Sequence, residues 1–288
     1  MRIFVTGASG WIGSHTVAEL VAAGHEVTGL ARSEESAAKV QALGAAVLRG
    51  DLADTDLLAH AARQSEGVVH LGYHHDFSQM AQAATLDRAA TAAMGAELEG
   101  KPLLFASGVI GVRTEDDRPD SGGHPRVASA AAALALGDRG VRVVAVRFAP
   151  TVHGQGDHGF VAELVRLARE RGVSAYVGDG ANVWPAVHVT DAARLVRLAL
   201  DAAPGGSAVH AVAEEGVPTR AIAEAIGRGL GVPTESVEAD DAANQLGWIG
   251  MFFAGDFPVT STQTRELLGW EPTGPTLLSD LAAGHYTG

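Results

Sequence analysis

The opening thirteen residues, Met1-Arg-Ile-Phe-Val-Thr-Gly-Ala-Ser-Gly-Trp-Ile-Gly13, restrict the fold more than any other stretch of the chain. Ile3, Phe4 and Val5 form a short apolar run suited to a buried parallel strand. Gly7, Gly10 and Gly13 punctuate a turn, and residues 14–23 have helix-compatible composition. At this spacing each glycine has a task. Gly7 makes the tight turn, Gly10 admits a pyrophosphate against bare backbone, and Gly13 lets the helix pack on the strand. The helix N-terminus turns unpaired N–H groups and a positive dipole end toward phosphate. This stretch is therefore expected to open a dinucleotide-binding unit.

A second strand is expected over 26–30. An acidic residue at its end would hydrogen-bond ribose hydroxyls, whereas a cation would accommodate a 2′-phosphate. The acidic position carries Ala31, followed by Arg32, which can pair with phosphate, and Ser33, which adds a donor. The expectation is NADP(H) rather than NAD(H). A helix over 34–43 and a third strand over 45–49 lead to Gly50-Asp51-Leu52. Asp51 can accept from an adenine amino group, and Asp54 or Thr55 can cap the next helix. Further strands are expected over 67–71, 101–107 and 141–148. This alternation predicts an α/β fold with a doubly wound parallel sheet. The polar, Gly/Pro-rich loop at 113–125 has a length usually found in functional or mobile loops.

Composition narrows the partners. The 288 residues suffice for a nucleotide domain with a smaller companion, and a formal charge of −13 argues against nucleic acid or an anionic membrane. With no cysteine, disulfides, thiolate zinc and a Cys nucleophile are excluded. No stretch reads as a signal peptide or a membrane span, so a cytoplasmic location is expected.

Thr6-Gly-Ala-Ser-Gly-Trp-Ile-Gly13, Gly50-Asp51-Leu52, Arg147-Phe-Ala-Pro-Thr-Val-His-Gly154 and Ala186-Val-His-Val-Thr-Asp191 occur in one order. In that order the chain resembles the extended short-chain dehydrogenase/reductases, or NAD-dependent epimerase/dehydratase-like family. The resemblance implies a Rossmann domain over 1–155, completed by segments near 183–213, and a small α/β substrate domain from 156–182 and 214–288. It also implies that Ser9, Trp11, Ile12, Leu52, Leu71, Gly72, Pro150 and Val152 join Gly7, Gly10, Gly13, Arg32, Ser33 and Asp51 around the cofactor.

The family's proton chemistry uses a Ser or Thr after the fifth strand and a Tyr-x-x-x-Lys on the next helix. Here Arg126 falls at the tyrosine position and Ala130 at the lysine position, and none of Tyr73, Tyr176 and Tyr286 begins such a motif. A guanidinium stays charged and cannot shuttle a proton near neutral pH. Ser107 and Arg126 are therefore expected to polarise a substrate oxygen, with Tyr73, a neighbouring histidine (His74 or His75) or water giving the proton; a phosphate or substrate-carboxylate contact fits Arg126 equally well. Asp76 can tune a histidine. A metal held by His74, His75 and Asp76, with or without His70, is disfavoured because adjacent residues of an extended loop point apart.

Other residues carry structural expectations. Asp157 is expected to cap the helix over 160–171, and Thr190 or Asp191 the helix through 200. His153 is expected to be structural, and His158, at the helix entrance, can face substrate, although a structural or solvent-facing role is expected for it too. Asn182 and Trp184 are candidate cleft residues. Trp248, Met251, Phe252 and Phe253 form either a lid or the small domain's core. The alanine-rich helix over 127–136 fits a homodimer. The sequence thus predicts an NADP(H)-dependent oxidoreductase that reduces a carbonyl or similar bond of a small molecule. A sugar-nucleotide epimerase or dehydratase, or a non-catalytic NADP(H) sensor, is the alternative.

Overall fold

The computed structural model describes residues 1–74, 79–119 and 125–287. The apolar run at the N-terminus forms β1 (Arg2–Thr6), buried from Ile3 onward, and the glycine turn leads into α1 (Trp11–Ala22). There follow β2 (Glu26–Ala31), α2 (Glu34–Ala42), β3 (Ala46–Arg49), α3 (Thr55–Gln64), β4 (Gly67–His70) and α4 (Met80–Gly95). Next come β5 (Pro102–Gly108), α5 (Pro125–Leu134), β6 (Arg142–Phe148) and β7 (Thr151–His153). The chain continues through α6 (Phe160–Arg171), β8 (Ser174–Val177), β9 (Val183–His188), α7 (Val189–Ala202) and β10 (Ala208–Ala211). It ends with β11 (Glu214–Pro218), α8 (Thr219–Leu230), β12 (Thr234–Val237), α9 (Ala242–Leu246), α10 (Trp248–Phe253), α11 (Thr262–Leu268) and α12 (Leu277–Ala282).

Seven strands form one sheet in the order β10-β6-β5-β4-β1-β2-β3, and every pairing is parallel. Helices α1 and α7 cover one face and α3, α4 and α5 the other. Continuous Val and Leu runs in β1, β5 and β6 follow from burial on both faces. The expected doubly wound α/β architecture is therefore present. The order in which strands are added reverses between β1 and β4, which opens a crevice at their carboxyl ends. Among the described residues no helix is long and apolar enough to cross a membrane.

A second layer has its own core. It is built from α6, α8, α9, α10 and α12 over the three-stranded sheet β11-β9-β7 and the pair β12-β8. One segment departs from the expected boundary at 214. Val259 and Trp270, which flank α11, are buried in the core beneath the large sheet. The chain thus returns to the nucleotide layer before ending in the small one.

Two helix caps also differ from expectation. Neither Thr190 nor Asp191 caps α7; the N-cap is His188, whose Nδ1 accepts from the Thr190 N–H. Asp191 is buried, and its carboxylate accepts from the N–H groups of Thr273 and Gly274 at 3.0 and 2.8 Å. Asp54 occupies the cap position of α3, but its carboxylate turns back to the Asp51 N–H at 2.7 Å.

The long polar loop is latched along its described part. Asp117 accepts from the N–H groups of Arg113 and Thr114, and the buried Arg147 donates to the carbonyls of Thr114, Glu115 and Asp117. Glu115, also buried, accepts from the Thr264 N–H and hydroxyl at 2.8 Å each. These partners come from three separate parts of the chain, so local composition does not announce them.

Asp191→Ala removes the acceptor of two buried-side N–H groups that tether 273–274. It is expected to lower stability by about 2–4 kcal/mol, read as a lower urea midpoint at unchanged m-value.

Candidate active site

The crevice is a cleft of about 940 Å³ running from the glycine turn to α10. Its floor is made by close backbone approaches. Gly7 has φ +67, and a Cβ there would meet Leu71 and Gly72 backbone at 2.7 Å. The Thr6 hydroxyl accepts from the Gly72 N–H at 3.1 Å and meets His70 Nδ1. A Cβ on Gly13 would lie 1.9 Å from the Gly7 carbonyl oxygen, so α1 packs on the turn itself rather than on the strand behind it. Gly10 is the N-cap of α1, and its N–H closes the turn onto the Gly7 carbonyl at 3.0 Å. The result is a bare-backbone cradle at a helix N-terminus, which fits a diphosphate.

The proposed cofactor residues Gly7, Ser9, Gly10, Trp11, Ile12, Gly13, Arg32, Ser33, Asp51, Leu52, Leu71, Gly72, Pro150 and Val152 all line this cleft. The Trp11 indole N–H donates to the Val152 carbonyl at 2.7 Å, tying the turn to the segment after β6. At the end of β2, the exposed Arg32 lies 3.8 Å from Asp51. Ser33 caps α2 in a reciprocal box with Ser36, so its hydroxyl is already engaged, and Ser36 joins the lining. Asp51 also accepts from the Ala53 N–H at 3.1 Å.

Ser107, Tyr73, His74 and Arg126 line the same cleft. The Arg126 guanidinium carbon lies 3.8 Å from the centre of the Tyr73 ring, and its Nη2 reaches the Ala106 carbonyl at 3.5 Å. A cation over a phenol face is attracted by the ring quadrupole and held in register with it. His75 and Asp76 lie outside the described residues. His70 is buried under the turn, with Nδ1 at the Thr6 hydroxyl and Nε2 3.2 Å from Asp87.

The far end carries residues that sequence reasoning placed elsewhere or missed. Asp157 does not cap α6, whose N-cap is Gly159. Its carboxylate accepts from the Gly159 N–H at 2.7 Å and from the Tyr286 hydroxyl at 2.9 Å. Burial pushes the Asp157 carboxyl above its ordinary value, against both hydrogen bonds. Burial and the Asp157 charge push the Tyr286 phenol up. His158 lines the cleft and meets Trp11 edge-on at 6.1 Å. Asn182 is absent from the lining; its amide donates to the carbonyls of Phe253 and Gly255. The aromatic stretch near 250 divides: Phe253 is fully buried, Trp248 and Phe252 face the cleft, and Met251 is 75% exposed. Phe160, Glu163 and Phe257 complete that end. The period of α6 could have marked Phe160 and Glu163, but nothing local links Tyr286 to Asp157.

A model of the NAD dependent epimerase/dehydratase family matches residues 3–98. An uncharacterised protein of Schizosaccharomyces pombe is 45% identical over 296 residues, covering 99% of this chain and 100% of that protein. The chain belongs to the NAD-dependent epimerase/dehydratase family. A further family relative is the 4-hydroxy-2-methyl-3-oxo-4-farnesyl-3,4-dihydroquinoline-1-oxide ketoreductase of Stigmatella aurantiaca. It is 31% identical over 231 residues, 72% of this chain and 66% of that protein. The dTDP-glucose 4,6-dehydratase of Streptomyces venezuelae, solved with NAD and TYD, shares the fold. Its TM-score is 0.76 at 22% identity, over 99% of this chain and 96% of that one.

Within this family member, two buried histidines outside the cleft lining carry shifted proton affinities. His153 Nδ1 meets Asp280 at 2.7 Å, and burial outweighs that carboxylate to hold the imidazole below its ordinary 6.5. Burial likewise lowers His210, whose Nδ1–H donates to the Thr260 carbonyl at 2.7 Å. In each case the unfolded chain binds more protons once the pH falls below 6.5, so stability is present above that value and lost below it. The raised carboxyls of Asp157 and Glu214 act in the opposite sense. Urea unfolding is expected to lose roughly 1–2 kcal/mol between about pH 7.5 and pH 5.5, and His153→Gln is expected to flatten that slope.

Proposed function

We propose that the protein is an NADPH-dependent reductase acting on the carbonyl, or a similarly polarised double bond, of a small organic molecule. The observation that carries this reading is the Arg126 guanidinium stacked 3.8 Å over Tyr73 in the same cleft as Ser107. The family's tyrosine and lysine pair an acidic O–H with a fixed cation. Here the two components come from different elements: the phenol from the loop after β4 and the cation from the first turn of α5.

When bound, the reduced nicotinamide supplies the hydride. The Ser107 hydroxyl donates to the substrate oxygen and orients it. Tyr73 gives that oxygen a proton, and the neighbouring guanidinium offsets the negative charge that remains on the phenol. Arg126 holds no proton to give, so its part is electrostatic.

The choice of NADPH rests on the end of β2. Ala31 is buried where an acidic residue would bind ribose hydroxyls, and Arg32 is exposed with Ser33 and Ser36 beside it on the cleft. Its pairing with Asp51 at 3.8 Å is loose enough for a phosphate to displace. The ketoreductase relative supports reduction over epimerisation, since both share this cleft's family but only the former names a carbonyl reduction.

Two measurements test the reading. Single-turnover oxidation of NADPH across a carbonyl panel is expected for the natural chain, whereas NADPH binding without oxidation would favour the sensor. Tyr73→Phe and Arg126→Ala are each expected to lower kcat by on the order of 10²-fold while leaving NADPH affinity intact. Arg32→Ala is expected to reduce the preference for NADPH over NADH by roughly 10-fold.

A further inference from the structure

Beyond the nicotinamide end, the cleft continues under α6, β9 and α10, and its chemistry there differs from that of the cofactor half. Phe160 sits 5.8 Å from Trp184, 5.5 Å from Trp248 and 6.0 Å from Phe252, ring centre to ring centre. These rings make an apolar wall that is continuous with the small layer's core yet open on the cleft side. The two carboxylates at this end, Glu163 and Asp157, stand beside the His158 imidazole, and no Lys or Arg lines it among the described residues. Glu163 is committed to Arg166 through contacts of 2.7 and 2.8 Å, and that arginine is half exposed and also holds Glu170. Asp157 accepts from Gly159 and Tyr286, and no Lys or Arg pairs with it among the described residues.

A nucleotide sugar brings a diphosphate that a pocket must neutralise with arginine, lysine or several N–H donors. Among the described lining residues the cations are Arg32 at the ribose end and Arg126 on Tyr73. Neither belongs to the aromatic end. A substrate anion about 5 Å from the Asp157 carboxylate would be weakened by on the order of 10²-fold at an effective dielectric near 20. A flat apolar body gains instead from the aromatic faces.

We propose that this end of the cleft is a substrate pocket for a planar, apolar compound without negative charge. The class is an aromatic or conjugated ketone or aldehyde, its ring held by Phe160, Trp248 and Phe252, with Asp157 as the residue that excludes phosphates and carboxylates. Tyr286 is a positioning residue. Its hydroxyl donates to Asp157 and accepts from the Gly154 N–H at 3.2 Å, so the chain's last turn fixes the excluding carboxylate. The proposal names the substrate class for the reductase above and rests on that reading for the reaction, but not for the pocket's selectivity.

Equilibrium binding to the full chain loaded with NADP⁺ separates the two. The probes are propiophenone, its 4-carboxylate analogue and UDP-glucose, followed by calorimetry. Propiophenone is expected to bind, the carboxylate on the order of 10²-fold more weakly, and UDP-glucose more weakly than propiophenone. Asp157→Asn is expected to narrow the neutral-to-carboxylate gap at least about tenfold, and Phe252→Ala to weaken propiophenone about tenfold. Tighter binding of UDP-glucose, no binding of propiophenone, or an equal affinity for the carboxylate in the natural chain would each overturn the assignment. The last comparison needs no variant to fold. NADPH oxidation is followed in parallel: propiophenone that binds without being reduced sinks the reductase reading and leaves the pocket's selectivity standing.

Discussion

The contact between Gly13 and the Gly7 carbonyl governs the geometry on which the site depends. No side chain fits there, since even a methyl group would overlap the oxygen. The first helix therefore starts directly on the turn, and its free N–H groups point over the ends of β1 and β4. Gly7, at a positive φ, passes equally close to Leu71 and Gly72, so turn and neighbouring strand end share one surface. Bare backbone, a helix N-terminus and the reversal of strand order thus coincide at one place. Residues as far apart as Arg32, Ser107 and Val152 reach a common cleft because each lies at or just beyond the carboxyl end of a parallel strand of the large sheet.

The C-terminal third acts as a brace for this arrangement. Asp191 holds residues 273 and 274, the Trp270 indole donates to the Asp191 carbonyl, and Glu115 holds the start of α11 through Thr264. Asp280 reaches His153 and His285, and Tyr286 closes on Asp157. Buried charged groups are tolerated at these places because each meets several donors or a histidine, which lessens the cost of leaving water. The far wall of the cleft is consequently set by chain more than a hundred residues away in sequence.

Strand and helix positions were legible because a parallel sheet buried on both faces demands continuous apolar runs, and β1, β5 and β6 have them. The glycine turn was legible for the same kind of reason: its residues are dictated by local backbone sterics. Capping was read less well. At Asp191 distant N–H donors take the carboxylate instead of the local helix start, and at Asp157 the distant Tyr286 hydroxyl shares it with the local Gly159 N–H. The length of the loop after β5 fits a functional or a mobile loop alike, and the guanidinium that latches its described part lies on β6, out of reach of local sequence reasoning.

By itself the sequence determined the parallel sheet, the phosphate-shaped turn, the lack of an acid after β2 and the loss of the family's tyrosine and lysine. All four are properties of neighbouring residues and their spacing, which local sterics and hydrophobic period express directly. Only the tertiary structure decided that Arg126 stacks on Tyr73, that Trp248 and Phe252 turn to the cleft while Phe253 turns away, and that Tyr286 fixes Asp157. These contacts join residues 53 to 129 positions apart, where pairing depends on how whole layers pack and leaves no periodic trace in the chain.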